Sequence, residues 1–342
     1  MSTTSPARPV PVRLALVGLG GHGRTIQGAA EAAPGLDVVA VYDPDAAEAS
    51  RSAAHFGCDA SPSYEALLAR GDLDAVSLCS PNALHRPQAE AAFAAGLDVF
   101  VEKPIANTVA DGTAIVEAAE ATGRVLMVGH NMRFGEAVRW GRGLLRDGRL
   151  GEVVSAEVHF SSDTGLRLPP DSWRLRPEAC PVLPMMQLGV HGIDLLHDLV
   201  GPATSVFARA RGLTTPPGVV DNVVALLELT GDVPATVVSN YCSPVEFSLR
   251  VTGTEGTLAG TPTHLRFTPR DGTPGDAYDA SADGFASYAA QMQVFAESVQ
   301  GRRQPDSHGW GGTQALAVVE AIEASLAQGA PVPVALVGPH SL

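Results

Sequence analysis

The sequence predicts an α/β fold, with a strand–helix alternating first part and a strand-rich α+β second part. Three observations carry this. Up to about residue 130, short continuous apolar runs alternate with Ala-rich helical stretches, the pattern of a parallel sheet covered on both faces. After that, strands are frequent and separated by Gly, Pro and Asp-Gly turns, as in an antiparallel or mixed sheet. The chain is also long enough for two cores: 342 residues, 45% hydrophobic and 18% charged.

In chain order, Val12–Val17 reads as a buried strand followed by a Gly-rich turn. Thr25–Ala33 is a helix, Asp37–Tyr42 a strand and Asp45–Phe56 a helix. Ala75–Leu78 is a strand, His85–Ala95 a helix and Asp98–Val101 a strand. Val109–Thr122 is a helix closed by Gly123, and Val125–Val128 a last short strand. Glu136–Arg146 is a helix ending at Gly148. Strands then fall at Val153–Phe160, Ser205–Ala210, Val223–Leu229, Ala235–Asn240, Phe247–Thr252 and Leu265–Thr268, interrupted by a helix at Met185–Leu199. Phe285–Gln300 and Gly312–Ala327 are closing helices. The expected division is a mobile tail at 1–11, a first domain at 12–130 and a second at 131–342.

Composition excludes several classes. The formal net charge is −14 and the pI about 5.1, which argues against a nucleic-acid-binding surface. Cys58, Cys79, Cys180 and Cys242 form no Cys-x-x-Cys pair and have no His at zinc-ligand spacing. Reduced thiols and no metal site are therefore expected. The N-terminal stretch has no apolar h-region and no apolar run is long enough to span a membrane, so a cytoplasmic protein is expected. Of the 23 basic residues, 22 are Arg and one, Lys103, is Lys. Codon bias explains the scarcity; whether chemistry explains the position is open on composition alone.

Gly18-Leu19-Gly20-Gly21-His22-Gly23 matches G-x-G-x-x-G between the first strand and the first helix. Gly18 permits the tight turn, Gly20 lets the backbone approach a pyrophosphate, and Gly23 allows close helix–strand packing. The helix N-terminus supplies N–H donors and the positive end of the dipole. Asp43 follows Gly23 by 20 residues, at the end of the second strand, where a carboxylate accepts from both ribose hydroxyls of NAD. A 2′-phosphate would meet that charge with no Arg beside it, so NAD is expected rather than NADP. The plain alternative is a Gly-rich turn without a cofactor.

Lys103 ends the strand Asp98–Val101 in Glu102-Lys103-Pro104, at the carboxyl edge where open α/β sheets bind ligands. A Lys there can hold a substrate hydroxyl and, with a lowered pKa, move a proton; Arg would not readily release one.

These residues resemble the glucose–fructose oxidoreductase/inositol dehydrogenase/rhizopine-catabolism (Gfo/Idh/MocA) family, whose Glu-Lys-Pro signature Glu102-Lys103-Pro104 matches. The resemblance extends to Ser80-Pro81-Asn82-Ala83-Leu84-His85, to Val128-Gly129-His130-Asn131-Met132-Arg133-Phe134, to Trp173-Arg174 and to Gln187-Leu188-Gly189-Val190-His191-Gly192-Ile193-Asp194. It implies a Rossmann domain followed by a domain with a large, mostly antiparallel sheet, the last helix returning to the first domain. It implies homodimers or homotetramers packed through these sheets. It implies a cis Lys103–Pro104 peptide, a catalytic Lys103, and a cofactor site extending from Gly18, Gly20, Gly21, His22, Gly23 and Asp43 to Ser80, Asn82, His85, Glu102 and Lys103.

Gln187 and His191 are four residues apart, on one helix face. By resemblance His191 is the general acid/base, and its unperturbed pKa suits the role. The first position is often Asp in the family. Gln187 can hydrogen-bond an imidazole or a sugar hydroxyl but carries no charge. Asn131, Arg133 and Arg174 are placed at the substrate by resemblance, with salt bridges as the equal alternative. Asp194 is expected to tie the helix to neighbouring backbone.

The expected function is NAD-dependent hydride transfer at a secondary hydroxyl or ketone of a polyol, sugar or sugar derivative. Lys103, Asn131, Arg133, Arg174, Gln187 and His191 would bind the substrate. Two other readings stand beside it: NAD-assisted hydrolysis or elimination with no net redox, and a non-catalytic NAD-responsive binding protein.

Overall fold

The computed structural model describes residues 10–280 and 284–338. The expected mobile tail lies outside them apart from Val10, whose carbonyl accepts from the Gln300 amide at 3.0 Å, and Pro11.

The first unit contains β1 (Val12–Val17), α1 (Gly23–Glu31), β2 (Leu36–Tyr42), α2 (Ala46–Phe56), β3 (Asp59–Ala60), α3 (Tyr64–Leu68), β4 (Ala75–Leu78), α4 (His85–Ala94), β5 (Asp98–Val101), α5 (Val109–Thr122) and β6 (Leu126–Val128). All six strands are parallel, in the order β3-β2-β1-β4-β5-β6. The order reverses between β1 and β4, which opens a crevice at their carboxyl ends. β4 and β5 are buried at every position, as strands covered on both faces must be. Thr108 caps α5 by accepting from the Asp111 amide, and Gly123 ends it in the left-handed region.

α6 (Glu136–Arg146) leads into the second unit: β7 (Val153–Ser161), α7 (Val190–Leu199), β8 (Ala203–Arg211), β9 (Asn222–Leu229), β10 (Val233–Asn240), β11 (Glu246–Gly253), β12 (Gly256–Thr261), β13 (His264–Pro269), β14 (Ala277–Asp279), α8 (Ala286–Gly301), α9 (Gly309–Gln328) and β15 (Val332–Pro333). Nine strands form one sheet, β14-β13-β12-β11-β7-β10-β9-β8-β15, antiparallel except for the β7–β10 pair. The predicted class, an α/β sheet followed by a mostly antiparallel one, is the class observed. β3, α3, β12, β14 and β15 are additional to the elements expected.

α7 lies on one face of the large sheet, where a Cβ on Gly192 would sit 2.5 Å from Val158. α8 lies on the small sheet and places Met292, Phe295, Ala296 and Val299 in one core with Leu14, Leu16, Ile26 and Phe100. The Phe100 and Phe295 rings meet edge to face at 5.8 Å. α9 packs on α5 and against β8.

Candidate functional site

A cleft of about 740 Å³ runs from the glycine loop, across the carboxyl ends of β1, β4 and β5, to α7. At its outer end, Gly18 has φ +82°, and a Cβ there would lie 2.6 Å from the Cys79 carbonyl carbon. A Cβ on Gly23 would lie 2.1 Å from the Gly18 oxygen. Both glycines are required by close packing. Gly20 and Gly21 differ: a Cβ on either would meet no atom within 4 Å, so the backbone there is bare toward the cleft. No side chain caps the first turn of α1. Asp43 accepts from the Leu19 amide at 2.7 Å through one oxygen and from the Asp45 amide at 2.8 Å through the other. Each oxygen keeps a lone pair for a further donor. A bare glycine backbone, a helix N-terminus and a fixed carboxylate fit a dinucleotide with a free ribose diol.

The middle of the cleft is lined by His22, Ser80, Asn82, Glu102 and Lys103. Ser80 Oγ donates to Gln88 Oε1 at 2.5 Å. Glu102 is buried, with one oxygen accepting from the Lys103 amide at 3.1 Å and the other 3.4 Å from His22 Nε2. Burial raises the Glu102 carboxyl, but His22 and Lys103 outweigh it and the net shift is downward. Lys103–Pro104 is cis. His85 also lines the cleft. It is 1% exposed, with Nε2 2.9 Å from the Ser80 carbonyl and Nδ1 3.1 Å from that of Pro104. Both nitrogens are turned to backbone carbonyls, so the ring braces the Ser80 loop against the segment after Lys103.

At the inner end, Lys103 Nζ donates to the Gln187 carbonyl at 3.0 Å. Arg174 Nε donates to the Gln187 side-chain oxygen at 3.1 Å, and the Gln187 amide donates to Cys180 Sγ at 3.5 Å. His191 is buried beside Phe160, with ring centroids 5.9 Å apart, and its Nδ1 has no partner. Burial drives its pKa well below the ordinary value, and Lys103, His130 and His22 push it the same way. The imidazole is therefore neutral near pH 7. Burial also lowers Lys103; Glu102 opposes the shift and Arg174 adds to it. The predicted α-helix over Met185–Leu199 begins as a π-helical turn, Met185–Gly189. Such turns frequently mark functional sites. Gln187 and His191 both line the cleft.

Two residues expected at the substrate lie off the cleft. Arg133 makes a bidentate pair with Asp194, 2.7 Å at both contacts, and reaches Asp198 at 3.4 Å. Its guanidinium is consumed inside the protein. Asn131 is buried and donates to Ser287 Oγ at 2.8 Å. Asp194 accordingly ties α7 to a side chain, Arg133, and not to backbone. Phe160, Gln88, Leu188, Tyr241 and Tyr288 line the cleft without having been singled out from sequence. Tyr288 comes from α8 and meets the His22 ring edge-on at 5.6 Å; no local motif announces it.

Residues 12–130 match the model of an oxidoreductase family with an NAD-binding Rossmann fold, GFO/IDH/MocA, and residues 138–259 match the GFO/IDH/MocA C-terminal domain. Over 307 residues, 87% of this chain and 91% of the relative, the chain is 31% identical to 1,5-anhydro-D-fructose reductase of Ensifer adhaerens. Over 143 residues, 42% of this chain and 38% of the relative, it is 34% identical to 2,7-anhydro-N-acetylneuraminate hydratase of Mediterraneibacter gnavus. The solved structure of aldose-aldose oxidoreductase from Caulobacter crescentus, complexed with glycerol, has a TM-score of 0.86 at 26% identity, covering 94% of this chain and 99% of that one.

Proposed function

The chain belongs to the GFO/IDH/MocA family of NAD-binding oxidoreductases, and we propose that it transfers a hydride between NAD and a secondary hydroxyl or ketone of a sugar, polyol or sugar derivative. The observation that carries this is a single cleft with two ends: a bare glycine backbone and Asp43 at one, Lys103 and His191 at the other. Bound NAD supplies the hydride acceptor or donor. Asp43 would hold the ribose diol, and the glycine loop and the α1 N-terminus would hold the pyrophosphate. Asn82 and Glu102 line the same cleft.

Lys103 orients the reacting oxygen and stabilises negative charge developing on it. His191, neutral at working pH, accepts the hydroxyl proton during oxidation. In reduction the same path runs backward: His191 returns the proton to the oxygen while Lys103 stabilises the negative charge on it. Arg174 and Gln187 position the sugar ring. The test is NAD reduction across aldoses, cyclitols, and amino and deoxy sugars, with Lys103→Met as control. Loss of turnover with NADH binding retained supports the assignment; unchanged turnover overturns it.

The hydratase relative favours a second reading, in which hydride is removed and returned without net redox. Stoichiometry separates the two, because that reaction consumes substrate while no NADH accumulates.

The reading includes a homodimer or homotetramer. Val154, Val224 and Leu226 are 50%, 45% and 52% exposed on strands β7 and β9 of the large sheet, an apolar surface suited to a second copy. Light scattering at the monomer mass would exclude it. The reading also places the protein in the cytoplasm, where its four free cysteines stay reduced; cell fractionation tests this. Among the described residues, no helix is long and apolar enough to cross a membrane.

A further inference from the structure

Arg174 is placed unlike the other half-buried arginines. Arg13, Arg70, Arg133 and Arg142 each hold a carboxylate: Asp74, Asp72, Asp194 and Asp198. Arg124 holds none, but it lies away from the cleft, beside Gly96. Arg174 lines the cleft, and among the described residues it pairs with no carboxylate. Its Nε is committed to the neutral Gln187 side chain, and its Cζ lies over the Trp173 ring, 4.8 Å from the centroid. The Trp173 contact and the Nε bond hold the guanidinium in place. The two terminal nitrogens remain, the edge that grips a carboxylate bidentately.

The charge balance around it agrees. Asp43 and Glu102 are the carboxylates lining the cleft, with Asp43 at the nucleotide end and Glu102 held by His22 and the Lys103 amide. The inner end thus carries two cations, Lys103 and Arg174, against one buried anion. Arg174 shares the cleft lining with Lys103 and Tyr241. Gln187 is the reason the charge is left over. A carboxylate at that position would take the Arg174 Nε and neutralise it; the amide takes the hydrogen bond and leaves the charge.

Resting on the oxidoreductase reading, we propose that the substrate is an acidic sugar, a monosaccharide or polyol bearing a carboxylate that Arg174 grips while Lys103 and His191 work on a ring hydroxyl. Gln187 is then a specificity-determining residue, because its neutrality keeps Arg174 free.

The test is NAD reduction with matched pairs, an aldose and its uronate or aldonate, together with the corresponding sugar phosphate. Substrate-induced change in bound-NADH fluorescence gives a second readout. The wild type is expected to favour the carboxylate by roughly ten- to a hundredfold in kcat/KM, the range of one charge-assisted contact. Arg174→Gln is expected to bring that ratio near one. Gln187→Glu, which supplies the missing carboxylate, is expected to reduce it through KM while NADH binding is retained. A neutral sugar turned over as well as its acid overturns the proposal and leaves the oxidoreductase reading intact. Preference for the phosphate over the carboxylate overturns the carboxylate assignment. NADH binding with no turnover of any pair overturns both readings.

Discussion

The two ends of the cleft are built in different ways. The nucleotide end is mostly backbone: a turn that excludes side chains at Gly18 and Gly23, bare chain at Gly20 and Gly21, and a carboxylate locked by two amides. The inner end is made of side chains from distant elements: Lys103 after β5, Phe160 from β7, Arg174 from a loop, Gln187 and His191 from a π-to-α junction, Tyr241 after β10. A backbone site needs a few glycines at fixed spacing and accepts one shape of ligand. A side-chain site can be retuned at one position without disturbing the sheet, as Gln187 beside Arg174 illustrates.

Breaking the inner end has the largest expected effect. Lys103→Met should lower kcat about 10³-fold, the scale of losing a general acid/base or oxyanion contact, while NADH affinity changes little. A tenfold effect or less would mean that Lys103 only supports Gln187. Next comes the network behind α7. Arg133→Met leaves Asp194, 1% exposed, as an uncompensated charge, and urea unfolding should show a loss of about 3–5 kcal/mol. A loss below about 1 kcal/mol with a raised KM would return Arg133 to the substrate.

The nucleotide end is probed by two glycines with opposite consequences. Gly20→Ala places a Cβ in open cleft, so NADH affinity should fall roughly tenfold with the melting temperature unchanged. Gly18→Ala meets the Cys79 carbonyl and strains a positive φ, so the melting temperature itself should drop. Equal behaviour of the two variants would erase the distinction between packing and cofactor glycines.

The smallest effect is a pH slope. Burial lowers His197 on α7 to about 4, against the pull of Asp194 and with Arg133 and His130 adding to the shift. The neutral ring is the folded form, so its contribution is complete above pH 6.5. It is lost as pH falls from 6.5 toward 4, because the unfolded chain takes up the proton first. Denaturant titrations at pH 7 and pH 5 should differ by about 1–2 kcal/mol from this group, and His197→Gln should shrink the total difference by that amount, the other buried histidines keeping their share.

What could be read beforehand follows the same division. β1, β4, β5, α5 and α6 match their expected bounds to the residue, because continuous apolar runs and the Thr108 and Gly123 caps are local signals. β12, with glycines at both 256 and 260, has no apolar alternation to reveal it. α3 is five residues long and depends on the Ser63 cap. In the site, Gly18 to Gly23, Asp43, Lys103 and His191 stood out because each sits in a short motif beside a predicted element. For Arg133 the sequence left substrate contact and a salt bridge open, because a motif gives proximity in sequence; the buried Asp194, 61 residues away, takes the guanidinium. Tyr288 reached the cleft only through the packing of α8.

That packing affects the order in which the protein can be made. The residues that complete the core over Leu14, Leu16 and Phe100 are Met292, Phe295, Ala296 and Val299, the chain's last fifth. During synthesis, α1 covers part of this face with Ile26, Ala29 and Ala30, and the remainder of that core closes only after α8 has been made. A fragment ending near residue 130 would lack Met292, Phe295, Ala296 and Val299 and leave that part of the face exposed. Residues more than 250 positions apart thus share one core.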